Sequence, residues 1–212
     1  MIATPLCVIM GKCGSDKGSE NIHESHHNYT LFYYKLFSEI QQNALRIFEL
    51  GLGSNNPNIP SNMLFMGKKC RPGASLYGWE EFFPNANIYG ADIDRNILFN
   101  TNRIKTYYCD QTNSNSIKEL WNNTDLEEQF DIIVEDGLHE YNANVCFFEN
   151  SIHKLKRGGY YIIEDIINKY IPIWNKKIDE WRKKYTSYEF TIVPLPSKHN
   201  NHDNTLILIK YT

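Results

Sequence analysis

The sequence predicts an α/β fold on a mostly parallel sheet closed by an antiparallel hairpin, and three observations carry that reading. The stretch Phe130-Asp131-Ile132-Ile133-Val134-Glu135-Asp136-Gly137-Leu138-His139 is a short apolar run that stops in two acids, a glycine and a histidine. A parallel strand covered on both faces has this pattern. A second run, Tyr160-Tyr161-Ile162-Ile163-Glu164-Asp165, repeats it. Strand-like and helix-like segments alternate until two last strands, residues 187–193 and 205–210, flank a polar loop as a hairpin. In open α/β sheets ligands lie outside the carboxyl ends of the strands, which puts Asp136 and His139 at a reactive rim. If the two acid-tipped strands are neighbours, about 4.8 Å apart, four carboxylates (Glu135, Asp136, Glu164, Asp165) converge with one imidazole.

The elements follow in order. Residues 11–30, rich in Gly, Ser and Asn, read as a loop and a mobile N-terminal lid over a ligand site. They include His23-Glu24-Ser25-His26-His27, which matches the HExxH zinc pattern. That pattern works only on a helix, and Gly18, Asn21 and Asn28 are poor helix surroundings. Residues 31–42 carry Phe32, Tyr33, Leu36, Phe37 and Ile40 at helical spacing. Residues 46–50 form a strand running into Gly51-Leu52-Gly53, a turn that permits close backbone approach to a ligand. A long loop covers residues 54–74, and residues 75–83 read as a helix. Residues 87–94 form a strand tipped by Asp92, where an acid can bind a ribose diol. Such an acid usually lies about 20 residues past the glycines, but Gly53 to Asp92 is 39 residues. Residues 104–109 form a strand ending at Asp110-Gln111, and 115–126 a helix. After the central strand, residues 140–155 form a helix stopped by Gly158-Gly159, and 167–184 a last helix.

Composition sets the bounds. The 212 residues, 42% hydrophobic and 22% charged, suit one soluble domain over residues 1–212. A net charge of -3 gives no basic footprint for nucleic acid. Five scattered cysteines (Cys7, Cys13, Cys70, Cys109, Cys146) without a CxxC pair suit free thiols in a reducing compartment. The apolar residues 1–10 contain Pro5 and lack the features of a signal peptide, and no run is long enough for a membrane helix. A cytoplasmic enzyme is the expectation, and the sequons at Asn28 and Asn122 then carry no weight.

With the elements in this order the chain resembles the class I S-adenosylmethionine-dependent methyltransferases. Their Rossmann-like fold implies a seven-stranded sheet with helices on both faces. Glu49-Leu50-Gly51-Leu52-Gly53 resembles that family's first motif, beside the methionine part of the cofactor; Asp92 resembles its ribose-binding acid, and Asp110-Gln111 the position that contacts adenine. The ordered set GSDKGS (residues 14–19), Tyr29-Thr30, Pro72-Gly73-Ala74-Ser75-Leu76 with Trp79, Phe83-Pro84-Asn85-Ala86, Asp136-Gly137-Leu138-His139 and Ile163-Glu164-Asp165 narrows it. That set is similar to the metal-dependent sugar O-methyltransferases of macrolide tailoring and to the proteins grouped as cephalosporin hydroxylase-like, with relatives in capsular-polysaccharide clusters. The resemblance covers about residues 14–166. It implies a long loop after the first strand, which accounts for the 39-residue spacing. It places Tyr29 and Thr30 with Glu49, Gly51, Gly53, Asp92, Asp110 and Gln111 at the cofactor. The group's usual Asp-Asp-Gly-Ser-His stands here as Glu135-Asp136-Gly137-Leu138-His139.

Crowded carboxylates repel one another unless a cation compensates, and hard oxygen donors suit Mg²⁺ or Mn²⁺. The resemblance implies Asp136, Glu164 and Asp165 as its ligands; helix capping by the same acids is the competing account. His139 is the expected base, acting with Asp136. The acceptor implied is a small sugar-bearing molecule, nucleotide-linked or glycosylated. A metal at the strand tips favours adjacent oxygens, and Tyr29, Phe65, Tyr77 and Trp79 could stack on a sugar ring or lie in the core. N-methylation, a phosphorylated acceptor, an iron-dependent hydroxylase, an NAD-dependent dehydrogenase, a non-enzymatic sugar-binding protein and self-association into a homo-oligomer stay open.

Overall fold

The computed structural model describes residues 2–22, 25–43, 45–69, 71–195 and 197–212. Seven strands form one sheet: β1 Arg46–Leu50, β2 Asn87–Asp92, β3 Ile104–Tyr108, β4 Phe130–Glu135, β5 Leu155–Ile163, β6 Tyr188–Pro194 and β7 Thr205–Tyr211. Their order is β3-β2-β1-β4-β5-β7-β6. The first five pair in parallel, and β7 runs antiparallel to both β5 and β6. The chain reverses its direction of travel across the sheet between β1 and β4. Such a switch point leaves a crevice beyond the strand tips.

Side chains alternate between the faces of these strands, and that alternation sorts the helices. Phe48, Leu50, Ile133 and Tyr161 pack on one face with Trp121 of α4 (Ser114–Trp121), Phe147 and Phe148 of α5 (Tyr141–Ser151) and Trp181 of α6 (Ile171–Lys184). Ile47, Ile132, Val134 and Ile162 pack on the other with Met10 of α1 (Pro5–Cys13), Tyr33 of α2 (Tyr29–Phe37) and Trp79 of α3 (Ala74–Phe82). The expected sheet, hairpin and two helical layers are all present. No helix among the described residues is long and apolar enough to cross a membrane.

Several expectations change. Residues 11–30 are not all loop, because α1 runs to Cys13 and α2 begins at Tyr29. The signals for α1 are in the sequence: Thr4 caps it by accepting from the Cys7 N–H, Pro5 opens it, and Gly14 ends it at φ 87. Within the described part of the segment between them, Ser15, Lys17, Ser25 and His27 are buried. Residues 31–42 contain the end of α2 and a 3-10 turn, Ser38–Ile40. The helix expected over 115–126 ends at Trp121, before a 3-10 turn at Thr124–Leu126. The helix expected over 140–155 ends at Ser151, and Gly158-Gly159 fall inside β5. A Cβ on Gly159 would come 2.7 Å from the Asp131 carbonyl oxygen, where the β4–β5 register shifts. The helix expected from residue 167 begins at Ile171, after the 3-10 turn Asn168–Tyr170.

Candidate active site

A cleft opens at the tips of β1, β2 and β4. Its walls include Gly51, Gly53, Asp92, Asp110, Gln111, Asp136, His139 and Asp165, and Asp16, Lys17, His26 and His27 from the segment between α1 and α2. Residues 59–63 and Phe65 of the long loop cover it.

The acid edge is built by strand alternation. Glu135 follows Val134, so its side chain turns to the face of α4–α6. There it is buried, accepting from Tyr161 OH at 3.0 Å and from Gln111 Nε2 at 3.2 Å. The expected meeting of four carboxylates is therefore corrected: Glu135 leaves the group. Glu135 pairs with Ile163 across the strands, so Glu164 sits one position further on and faces the opposite layer, where Tyr33 OH donates to it.

The group that joins the acids is Lys17. Its ammonium, 1% exposed, pairs with Asp136 Oδ2 and Glu164 Oε2 and lies 3.5 Å from Glu49 Oε1. Glu49 also accepts from the Ser75 hydroxyl and Trp79 Nε1, both at 2.5 Å. Burial alone would lower the Lys17 pKa; Asp136, Glu164 and Glu49 override it and hold the lysine charged. Burial pushes Glu164 well up, with Lys17 opposing. Burial would raise Asp136 too, but Lys17 and His139 hold it below the usual carboxylate range.

On the cleft side one imidazole bridges two aspartates. His139 Nε2 lies 3.0 Å from Asp136 Oδ1, and Nδ1 lies 3.4 Å from Asp165 Oδ2 and from the Ser61 hydroxyl. Asp165 Oδ1 accepts from Tyr29 OH at 2.6 Å, and His27 Nε2 stands 3.6 Å away. His139 and Asp165 have φ of 61° and 56°, the left-handed region that non-glycine residues rarely enter; such strain gathers at functional sites. Burial opposes a charge on His139, but Asp165 and Asp136 push its pKa up to about 10, so the imidazole is protonated at neutral pH.

One donor atom each from Asp136, His139 and Asp165 lie within 4.8 Å of one another. The two carboxylate oxygens fit a hard divalent ion, and the imidazole stands beside them. Both oxygens of Glu164 are already taken, by Lys17 and Tyr33.

The residues expected at the cofactor divide. Gly51, Gly53, Asp92, Asp110 and Gln111 line the cleft; Glu49, Tyr29 and Thr30 are buried behind it. Gly51 is needed by the protein itself, because at φ 94 a Cβ would stand 1.9 Å from the Asp136 carbonyl oxygen. Asp92 Oδ2 accepts from the Leu52 N–H at 2.7 Å and Oδ1 from the Asp94 N–H at 2.8 Å. Those bonds shape the glycine turn and leave half of the lone-pair sites on the carboxylate for a ligand. The Asp110 carboxylate accepts from Thr112, and the Gln111 amide spans Glu135 and the Leu138 N–H. Of the four aromatic residues named for sugar stacking, Phe65 lines the cleft at 61% exposure. Tyr29 and Trp79 are core, and Tyr77 stacks on Phe99. His23 and Glu24, two of the three residues that define the HExxH match, lie outside the described residues, as does Cys70. Lys17 went unsingled by sequence reasoning although it sits inside GSDKGS, since a lysine in a polar loop gives no sign of burial. Ile93 and Ser61 on the cleft wall were missed as well.

Strand order, glycine turn and acid-tipped strands define the fold of the class I methyltransferases. No protein-family model matches the chain. Among solved structures it superposes on the MycE methyltransferase of the mycinamycin biosynthetic pathway, in complex with Mg and SAH, with a TM-score of 0.69 and 21% identity over 98% of this chain and 54% of that one. It is 27% identical over 154 residues to the 8-demethyl-8-alpha-L-rhamnosyl tetracenomycin-C 2'-O-methyltransferase of Streptomyces olivaceus, covering 73% of this chain and 37% of that protein. It is 29% identical over 162 residues to the demethylmacrocin O-methyltransferase of Streptomyces fradiae, covering 76% and 37% respectively. The match spans little more than a third of those relatives' own lengths.

Proposed function

We propose that the chain is an S-adenosylmethionine-dependent O-methyltransferase that uses a divalent cation, Mg²⁺ or Mn²⁺, and methylates a hydroxyl of a sugar on a small molecule. The observation that carries the reading is the pair Asp136 and Asp165, bridged by His139 at the edge of a cleft whose other wall is the Gly51–Gly53 turn and Asp92. The similarity to O-methyltransferases whose names include rhamnosyl tetracenomycin and demethylmacrocin supports it.

In this reading the methionine end of the cofactor follows the Gly51–Gly53 backbone, Asp92 accepts from the ribose hydroxyls, and Asp110-Gln111 borders the adenine. Glu49, Tyr29 and Thr30 act from behind, Tyr29 by holding Asp165. Asp136 and Asp165 would hold the metal, and Glu164 stands behind them with its oxygens on Lys17 and Tyr33. A bound divalent ion supplies positive charge that acidifies a neighbouring hydroxyl. His139 is a poor base while both aspartates keep it protonated. A divalent ion held by the two aspartates would offset the charge that raises the His139 pKa, and the imidazole could then take the hydroxyl proton. The hydroxyl oxygen then forms a bond to the methyl carbon as the carbon–sulfur bond breaks, leaving the neutral sulfide.

The support points to tailoring of natural-product sugars and gives none to polysaccharide assembly. The described cysteines Cys7, Cys13, Cys109 and Cys146 are free thiols, which suits a cytoplasmic setting. The test is a mass-spectrometric screen of glycosylated and nucleotide-linked sugars with the cofactor and Mg²⁺. Gain of one methyl mass on a diol-bearing sugar, lost when the diol is removed, is the expected result. Transfer only to amines or catechols would overturn the acceptor class.

A further inference from the structure

We infer that Lys17 is a positioning residue for the metal edge, a built-in inner cation that holds Asp136 and Glu164 so that one divalent ion completes the site from the cleft. The inference rests on the proposed metal-dependent reading. Its basis is the division of oxygens around the ammonium. Lys17 takes Asp136 Oδ2 and Glu164 Oε2 from inside, with Glu49 3.5 Å away. Asp136 Oδ1 and Asp165 Oδ2 are left facing the cleft, where His139 bridges them. Glu49 is fixed by Ser75 and Trp79 and Glu164 by Tyr33, so the ammonium sits in a cradle set by α2 and α3 rather than by the cleft.

Two buried glutamates and a half-buried aspartate cannot all stay ionised side by side without a counter-charge. A metal at the cleft edge does not reach Glu49, which lies behind the cleft wall. Lys17 therefore supplies one fixed positive charge to the inner carboxylates and fixes the rotamer of Asp136. Groups behind metal ligands act in this way, and their loss typically weakens metal binding by about 10–100-fold.

The test uses Mn²⁺ titrated into the full chain without cofactor, followed by electron paramagnetic resonance. Lys17→Met, of similar length and without charge, should bind Mn²⁺ at least about tenfold more weakly than the native chain, at a temperature where circular dichroism shows it folded. Unchanged or tighter binding overturns the inference, because it would mean that Lys17 is a bystander or competes with the metal. A second measurement needs no variant. The Lys17 ammonium signal in nitrogen-detected NMR should persist, still protected from solvent, when Mg²⁺ is added. Its loss shows the metal displacing the lysine and also overturns the inference. Failure of the native chain to bind Mn²⁺ at all removes the metal reading itself, a result distinct from either of these.

Discussion

Glu135-Asp136 and Glu164-Asp165 look alike in sequence, yet they do different work in the fold. In each pair the aspartate reaches the cleft and the glutamate is buried. The two glutamates also part from each other. Glu135 shares its face with Tyr161 and Gln111, which donate to it; Glu164, one register position further on, meets Lys17 and Tyr33. A shift of one residue in a period-two structure decides which layer an acid enters, and so whether it joins a charged site or a hydrogen-bonded core.

The comparison can be broken most severely at the aspartates and their imidazole. His139→Ala should lower kcat by roughly 10²–10⁴-fold with cofactor affinity nearly unchanged, measured by steady-state kinetics and calorimetry. Asp165→Asn should remove Mn²⁺ binding while leaving the fold intact by circular dichroism. At the glutamates the expected damage is to stability. Glu164→Gln leaves the buried Lys17 ammonium short of a charged partner and should cost roughly 3 kcal/mol in urea unfolding. Glu135→Gln should cost less than about 1 kcal/mol, because its partners are the Tyr161 hydroxyl and the Gln111 amide, not an ammonium, and an amide can keep hydrogen bonds to them. Equal costs at the two glutamates would refute the division.

Away from the acid pairs, Asp92→Ala should weaken cofactor binding by about 1.5–3 kcal/mol, the value of hydrogen bonds to a charged group. The same acid–imidazole contacts also predict a pH slope. His139 is raised from 6.5 to about 10 in the metal-free fold, so it takes up a proton on folding. That stability is fully present below about pH 6.5 and is lost as pH rises toward 10. Over that window the native chain should lose up to about 1.4 kcal/mol per pH unit relative to His139→Gln. A difference that does not vary with pH between the two would contradict the bridged imidazolium.

Much of the fold was legible because the central strands are covered on both faces and therefore read as apolar runs with sharp polar ends. The cleft was legible through Asp92, Asp136, His139 and Asp165, since polar residues that end such runs fall at strand tips. The signals of helix α1, Thr4, Pro5 and Gly14, also stand in the sequence, but nine residues are too few to set a clear helical period. The fate of Glu135 was not legible, because it depends on a cross-strand register that only pairing with β5 sets. Lys17 was hidden for a like reason. Its burial comes from contacts with Glu49, Asp136 and Glu164, up to 147 residues away in sequence, which no local pattern records.

The central claim is that cofactor and divalent ion share the cleft at the tips of β1 and β4. The most direct measurement is proton NMR of the S-adenosylmethionine methyl group in the presence of the chain, with Mn²⁺ titrated in. The account predicts that the cofactor binds and that its methyl resonance relaxes sharply with bound Mn²⁺, an effect lost in Asp165→Asn. A cofactor that does not bind, or whose methyl relaxation is the same in the native chain and in Asp165→Asn, would contradict it.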